Sequence, residues 1–154
     1  MASGVLRSAL VLQLLAGAAS QAVDYGGYAT SAYGQYSVIG GGYYISTYKK
    51  YSTISGGSYN LNYGYGATIG GGYSHVIYNS YSLISGGYDN IVYSAHATIS
   101  GGRYNTNKGY AGTISGGSYN RVGASYTTIS GGYTNGAYGT WGTVSGGGYK
   151  YVLF

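Results

Sequence analysis

Very few side chains in this sequence of 154 residues could break or make bonds. The chain has two carboxylates, Asp24 and Asp89, and two imidazoles, His75 and His96, with no Glu and no Cys. Paired-carboxylate hydrolysis and oxygen-rich cation sites need several carboxylates converging. Structural zinc sites and disulfides draw on thiols that the chain lacks. Serines abound, yet none sits in a G-x-S-x-G elbow and no His/Asp relay accompanies them. No catalytic residue, metal ligand or cofactor is expected, and the protein is not read as an enzyme. Hydroxyls and rings dominate instead, with 24 Tyr beside 32 Gly and no Pro. Such groups hydrogen-bond, stack and pack, so the chemistry to look for is binding and assembly.

Those groups recur at a fixed interval. From Tyr36 onward the chain repeats every fifteen residues: YSVIGGGYYISTYKK, YSTISGGSYNLNYGY, GATIGGGYSHVIYNS, YSLISGGYDNIVYSA, HATISGGRYNTNKGY, AGTISGGSYNRVGAS, YTTISGGYTNGAYGT and a clipped WGTVSGGGYKYVLF. One period earlier, QAVDYGGYATSAYGQ keeps the glycine pair but has Asp24 where the others carry Ile or Val, and reads as a degenerate first coil over residues 23–35. Aligned in this register, column four is Ile39, Ile54, Ile69, Ile84, Ile99, Ile114, Ile129 and Val144. One aliphatic per unit cannot fill a globular core, but stacked copies form a continuous apolar rod. Column two is small throughout. Columns six and seven are Gly-Gly in every unit, suited to a corner with positive φ. Column ten holds Asn60, Asn90, Asn105, Asn120 and Asn135, whose amides can bond the backbone of the neighbouring coil as an Asn ladder.

Fifteen residues are too few for a helix pair. The period predicts an all-β fold: a single β-solenoid of about nine coils, with two short strands per coil over residues 36–154 and a short apolar tail. Columns one to five are assigned to one strand and columns eight to thirteen to the other. Alternation then puts columns two, four, ten and twelve inside and the odd columns outside. At ~4.8 Å per coil the rod would be on the order of 40 Å long.

The outward columns carry the candidate functional groups. Column three shows Thr53, Thr68, Thr98, Thr113, Thr128 and Thr143, and column five Ser55, Ser85, Ser100, Ser115, Ser130 and Ser145. Val38 and Leu83 interrupt the first row, Gly40 and Gly70 the second. A Tyr association face is expected from column nine (Tyr44, Tyr59, Tyr104, Tyr119, Tyr149) and column thirteen (Tyr48, Tyr63, Tyr78, Tyr93, Tyr138), two aromatic rows on one strand face. Column one adds Tyr36, Tyr51, Tyr81, Tyr126 and Trp141. So much exposed ring area favours contact with another surface. His75 stands in the Asn column and His96 in the aromatic column one, so both read as substitutions within the repeat.

Residues 1–22 read as a secretory signal peptide, with Arg7 as the basic flank, Ala9 to Ala16 as the apolar segment, and small Ser20 and Ala22 before the cleavage point. Beyond it remain six basic and two acidic residues, a net charge of +4. No Asn-x-Ser/Thr sequon occurs. A secreted, extracellular location follows, without nucleic-acid partners and without membrane attachment once the signal is removed.

Units such as Ala97 to Gly109, ATISGGRYNTNKG, resemble the head repeats of trimeric autotransporter adhesins, short-repeat β-rolls with a hydrophobic strand, a Gly corner and a second strand of small residues. No stalk or membrane-anchor segment accompanies the repeats, so self-secretion through a barrel is not expected. The Thr-Ile-Ser rows resemble, more loosely, the Thr-x-Thr arrays of β-solenoid antifreeze proteins. Three functional expectations follow. The leading one is a secreted structural protein that self-assembles, as homo-oligomer or filament, into an extracellular fibre or matrix through Tyr ladders and exposed coil ends. The second is an ice-binding protein using the Thr/Ser rows. The third, implied by the adhesin resemblance, is a module that binds extracellular glycans or surfaces.

Overall fold

The computed structural model describes residues 22–154. The expected signal peptide therefore lies outside the described residues, apart from Ala22. Among those residues all regular structure is β, and no helix is long and apolar enough to cross a membrane.

Eighteen strands alternate between two parallel sheets of nine. The odd-numbered sheet runs from β1 (Val23–Asp24) and β3 (Val38–Ile39) to β17 (Thr143–Val144); the even-numbered sheet runs from β2 (Tyr28–Ala32) and β4 (Tyr43–Thr47) to β18 (Tyr151–Val152). Each strand pairs with the one a full period away, as in Val23↔Val38, Thr98↔Thr113 and Ile91↔Thr106. The chain is a β-solenoid of nine coils with the fifteen-residue rise that the sequence predicts.

Burial follows the columns. Ile39, Ile54, Ile69, Ile84, Ile99, Ile114 and Ile129 are fully buried and Val144 is nearly so. They face Ile45, Ile77, Val92, Val122 and Ala137 from the even-numbered sheet. Ser37, Ser52, Ala67, Ala97 and Thr127 fill the narrow remainder of the interior. Each buried Ile contributes about 1.5–3 kcal/mol relative to exposure.

The strands are shorter than columns one to five and eight to thirteen would make them. Beyond the first two coils the paired strands span only columns three to four and eleven to twelve, for example Thr53–Ile54 and Leu61–Asn62. Column eight joins through single bridges such as Tyr73↔Tyr88. Columns one and nine, assigned above to strands, are corners with left-handed φ, as at Tyr51 (59°), Tyr59 (57°), Tyr81 (55°) and Tyr119 (58°). The reason lies in the hydrogen bonds. Most amides donate to the following coil, as Thr98 N–H does to Gly112 O; at columns one and nine the peptide is flipped and donates to the preceding coil, as Tyr59 N–H does to Tyr43 O and Tyr51 N–H to Gln35 O. Left-handed φ strains a bulky residue, and the bond to the coil before holds it there.

In the glycine pair, the two positions differ. At Gly87 (φ 104°) a Cβ would collide with the backbone of Gly102 in the next coil, whereas at Gly86 it would touch only Gly71 O at 3.9 Å. In this coil only the second glycine is required by sterics; in others the first also has a positive φ, as at Gly41 (125°) and Gly146 (133°).

Candidate functional site

The Asn column sits inside the Gly-Gly corner. Asn105 Nδ2 donates to Gly101 O (3.1 Å) and Gly117 O (3.0 Å), while its Oδ1 accepts from Asn120 N–H (2.9 Å). Asn60, Asn90, Asn120 and Asn135 repeat these contacts. His75 takes the same place: Nδ1 accepts from Asn90 N–H (3.1 Å), but Nε2 is buried without a well-formed hydrogen bond. Desolvation holds the imidazole below its ordinary pKa, only partly offset by backbone contacts and Asp89, so it is neutral. This column is structural, and it offers no ligand-binding atom to solvent. Asn62 and Asn107, in column twelve, were not singled out by the period; their Nδ2 groups donate to Ala67 O and Gly112 O (2.8 Å each) across the second corner. Two isolated Asn in an otherwise aliphatic and small column give little sequence signal.

The hydroxyl rows lie on the outer face of the odd-numbered sheet. Thr53 and Thr68 are paired neighbours, Leu83 intervenes, and Thr98, Thr113, Thr128 and Thr143 then run in register through four coils. Ser55, Ser85, Ser100, Ser115, Ser130 and Ser145 are exposed beside them.

Aromatic rings form two unbroken ladders at the left-handed corners. Column nine alone has gaps, at Ala29, Ser74, Asp89 and Thr134, but in each of those coils column eight supplies the ring: Tyr28, Tyr73, Tyr88 and Tyr133. The ladder thus passes from Tyr28 through Tyr43, Tyr44, Tyr59, Tyr73, Tyr88, Tyr104, Tyr119 and Tyr133 to Tyr149, with centroids 4.6–5.7 Å apart. The second ladder repeats the device between column fifteen and the column one that follows: Tyr36, Tyr51, Tyr65, Tyr81, His96, Tyr110, Tyr126, Trp141. Rings in the same column lie nearly parallel, as Tyr73 and Tyr88 do (6°). Rings in neighbouring columns meet edge to face, as Tyr119 and Tyr133 do (75°). Both geometries are attractive. The rings of columns eight and fifteen were missed because each column, taken alone, looks irregular; counting one aromatic per adjacent pair of columns would have found them.

Column thirteen makes a third row, Tyr33, Tyr48, Tyr63, Tyr78 and Tyr93, stacked at 4.4–5.7 Å. Lys108 closes it, its Nζ 5.1 Å from the centroid of Tyr93. The expectation of two adjoining rows on one strand face needs correction: column nine lies at a corner, and the half-buried residues of column eleven, such as Leu61, Val76 and Ile91, separate it from column thirteen. Tyr138 resumes column thirteen only after Gly123.

The phenols of Tyr59 and Tyr104 are pushed above their ordinary 10.0, first by desolvation and then by the neighbouring Tyr43 and Tyr88. They are neutral donors and acceptors at pH 7. His96 belongs to the second ladder, stacked on Tyr81 at 5.3 Å. No cluster of metal-ligating side chains occurs among the described residues. The fold and these surfaces define a β-solenoid with laddered exterior rows. The chain matches no protein-family model, and a search of curated proteins likewise finds no match.

Proposed function

We propose that this protein is a secreted structural β-solenoid whose rods associate through their tyrosine ladders, aided by contacts between coil ends, into an extracellular fibre or matrix. The observation that carries this reading is the continuity of the two corner ladders, kept in every coil from the second onward by exchange of the ring between adjacent columns. Packing within one rod would tolerate a missing ring. A contact surface running the length of the rod is weakened by each gap. Many of these rings stay exposed, Tyr28 by 61 % and Tyr81 by 57 %, which is more open aromatic surface than a solitary soluble rod normally keeps. With only 6 % charged residues, little repulsion opposes lateral contact.

Electron microscopy over a concentration series tests the reading. Fibres or sheets are expected from the purified protein, and the Tyr51→Ser/Tyr65→Ser/Tyr81→Ser variant, which interrupts the second corner ladder, should remain as single rods with its β circular-dichroism spectrum intact. Discrete monomers of the unaltered protein at high concentration would overturn the proposal.

The in-register run Thr98, Thr113, Thr128 and Thr143 favours a second reading, ice binding by the flat hydroxyl face, consistent with the resemblance to antifreeze arrays. Thermal hysteresis and ice shaping that disappear in Thr98→Tyr would support it; their absence from the unaltered protein would dismiss it. The likeness of the repeats to adhesin heads adds a third, a module that binds surface glycans, which a glycan array would reveal.

A further inference from the structure

The repeat departs from its pattern at several positions on the even-numbered sheet, and the departures adjoin in space. Column eleven, aliphatic at Leu61, Val76 and Ile91, becomes Thr106, Arg121 and Gly136 in coils six to eight. Column thirteen gives up its tyrosines at Lys108 and Gly123 in coils six and seven. Each change alone is a tolerated substitution. Together they remove one wall and part of the floor of the aromatic surface.

What remains is a groove of about 360 Å³. Tyr104, Tyr119 and Tyr133 of the corner ladder line it together with Tyr138 and Tyr151, and Arg121 and Thr106 lie between them. The Tyr138 ring lies down across the two glycines: a Cβ at Gly123 would strike it, and a Cβ at Gly136 would meet both Tyr138 and Tyr151 at 2.6 Å. The glycines are thus what allows the rings to flank the groove.

Positive charge gathers at the same place. Arg103, Lys108, Arg121 and Lys150 all fall in coils six to nine on the half of the coil that carries the even-numbered strands; of the side-chain carboxylates, Asp24 is in coil one, and Asp89, in coil five, adjoins the groove only at its Tyr104 end. Lys108 is engaged with Tyr93, and Arg103 Nε donates to Ser118 Oγ (3.2 Å). The Arg121 side chain is exposed, and its planar fork suits a carboxylate. Concave sites lined by aromatic rings and a few polar groups are the usual form of small-ligand sites, and Thr106 and Thr134 add hydroxyls at the groove.

We propose that this groove binds an acidic oligosaccharide, with a uronate carboxylate on Arg121 and a sugar ring lying on the outer face of Tyr138. The faces of Tyr104 and Tyr119 are turned to each other in the ladder, but the Tyr138 ring, laid over Gly123 and Gly136, keeps an exposed apolar face edged by its phenol hydroxyl, which matches the apolar face and hydroxyl rim of a pyranose. The cationic surroundings select the acidic sugar over the neutral one.

The test is calorimetric titration of the purified protein, at concentrations where it is dispersed, with a galacturonic-acid tetrasaccharide. Binding is expected; a neutral galactose tetrasaccharide and a hexaglutamate peptide should each bind at least tenfold more weakly. Arg121→Gln should weaken uronate binding at least tenfold, whereas Lys50→Gln, the same loss of charge in coil two, should leave it unchanged. Chemical-shift changes on adding the tetrasaccharide should centre on coils six to eight. Equal binding of the neutral sugar or of hexaglutamate, equal effects of the two substitutions, or shift changes elsewhere on the rod would each overturn the proposal.

Discussion

Tyr73 and Ser74 occupy columns eight and nine of coil four in the opposite order from Ser58 and Tyr59 of the coil before, yet Tyr73 reaches Tyr59 at 5.4 Å and Tyr88 at 5.0 Å. If ring continuity is what matters, position within the pair is interchangeable. Tyr73→Ser removes two ring contacts of about 0.5–1.5 kcal/mol each, so a loss of about 1–3 kcal/mol is expected in denaturant unfolding. Adding Ser74→Tyr should restore most of it, because serine is already left-handed there (φ 59°) and a ring in its place enters the ladder. No recovery in the double variant would show the ladder to be incidental. His75 supplies a second residue-scale prediction. Its folded pKa lies below the ordinary 6.5, chiefly through desolvation, so the unfolded chain binds its proton more readily. Stability is therefore complete above about pH 6.5 and is lost as pH falls below it. His75→Asn should abolish that part of the acid sensitivity and, by restoring amide bonds to the corner carbonyls, raise stability by about 1–2 kcal/mol. Thermal melts between pH 4.5 and 7.5 compare the two proteins.

At the scale of the coil, the corner and the core column set the limits. Gly86→Ala should be nearly neutral, since its Cβ meets nothing closer than 3.9 Å, but Gly87→Ala combines a positive φ with a backbone collision and should destabilise the rod by ~3 kcal/mol or more. Equal melting temperatures for the two variants would refute the assignment of the required glycine. Strand register makes a parallel contrast between adjacent residues. Ile99→Asp buries an unpaired charge between Ile84 and Ile114 and should unfold or grossly destabilise the solenoid, whereas Thr98→Asp places the same carboxylate on the outer face. Circular dichroism distinguishes them. The interior columns behind this second contrast were legible in the sequence, because β alternation and a single aliphatic at constant spacing leave one consistent inside. Strand length was not legible. Tyr51 and Tyr59 have no preference for left-handed backbone, and their φ values come from amides that turn back to the preceding coil, a contact between residues far apart in the chain.

For the whole molecule, the exterior rather than the core carries the function proposed above. The phenols of Tyr59, Tyr63, Tyr65 and Tyr104 are raised above 10.0, in each case first by desolvation. Raised folded values mean that the ladders contribute fully below about pH 10 and lose stability as pH rises above it. Assemblies held by these rows should disperse reversibly as pH rises above about 10, where phenolates accumulate and repel, and turbidity or light scattering would follow it. Fibres that persist unchanged once the phenols have ionised would place the contact elsewhere. The acidic-sugar groove belongs to this scale as well, since its parts come from several coils and no one repeat contains them.

The amino-acid sequence by itself determined the period, the nine coils, the buried columns and the outward rows of hydroxyls, because each of these depends only on spacing along one chain and on the two-residue alternation of a strand. Tertiary structure alone decided where the corners flip, how rings from neighbouring columns merge into continuous ladders, and that Arg121 and Tyr138, the latter laid over Gly123 and Gly136, line one groove. Those features depend on residues fifteen apart or more standing side by side, and stacking of the coils is the physical step that creates such neighbours.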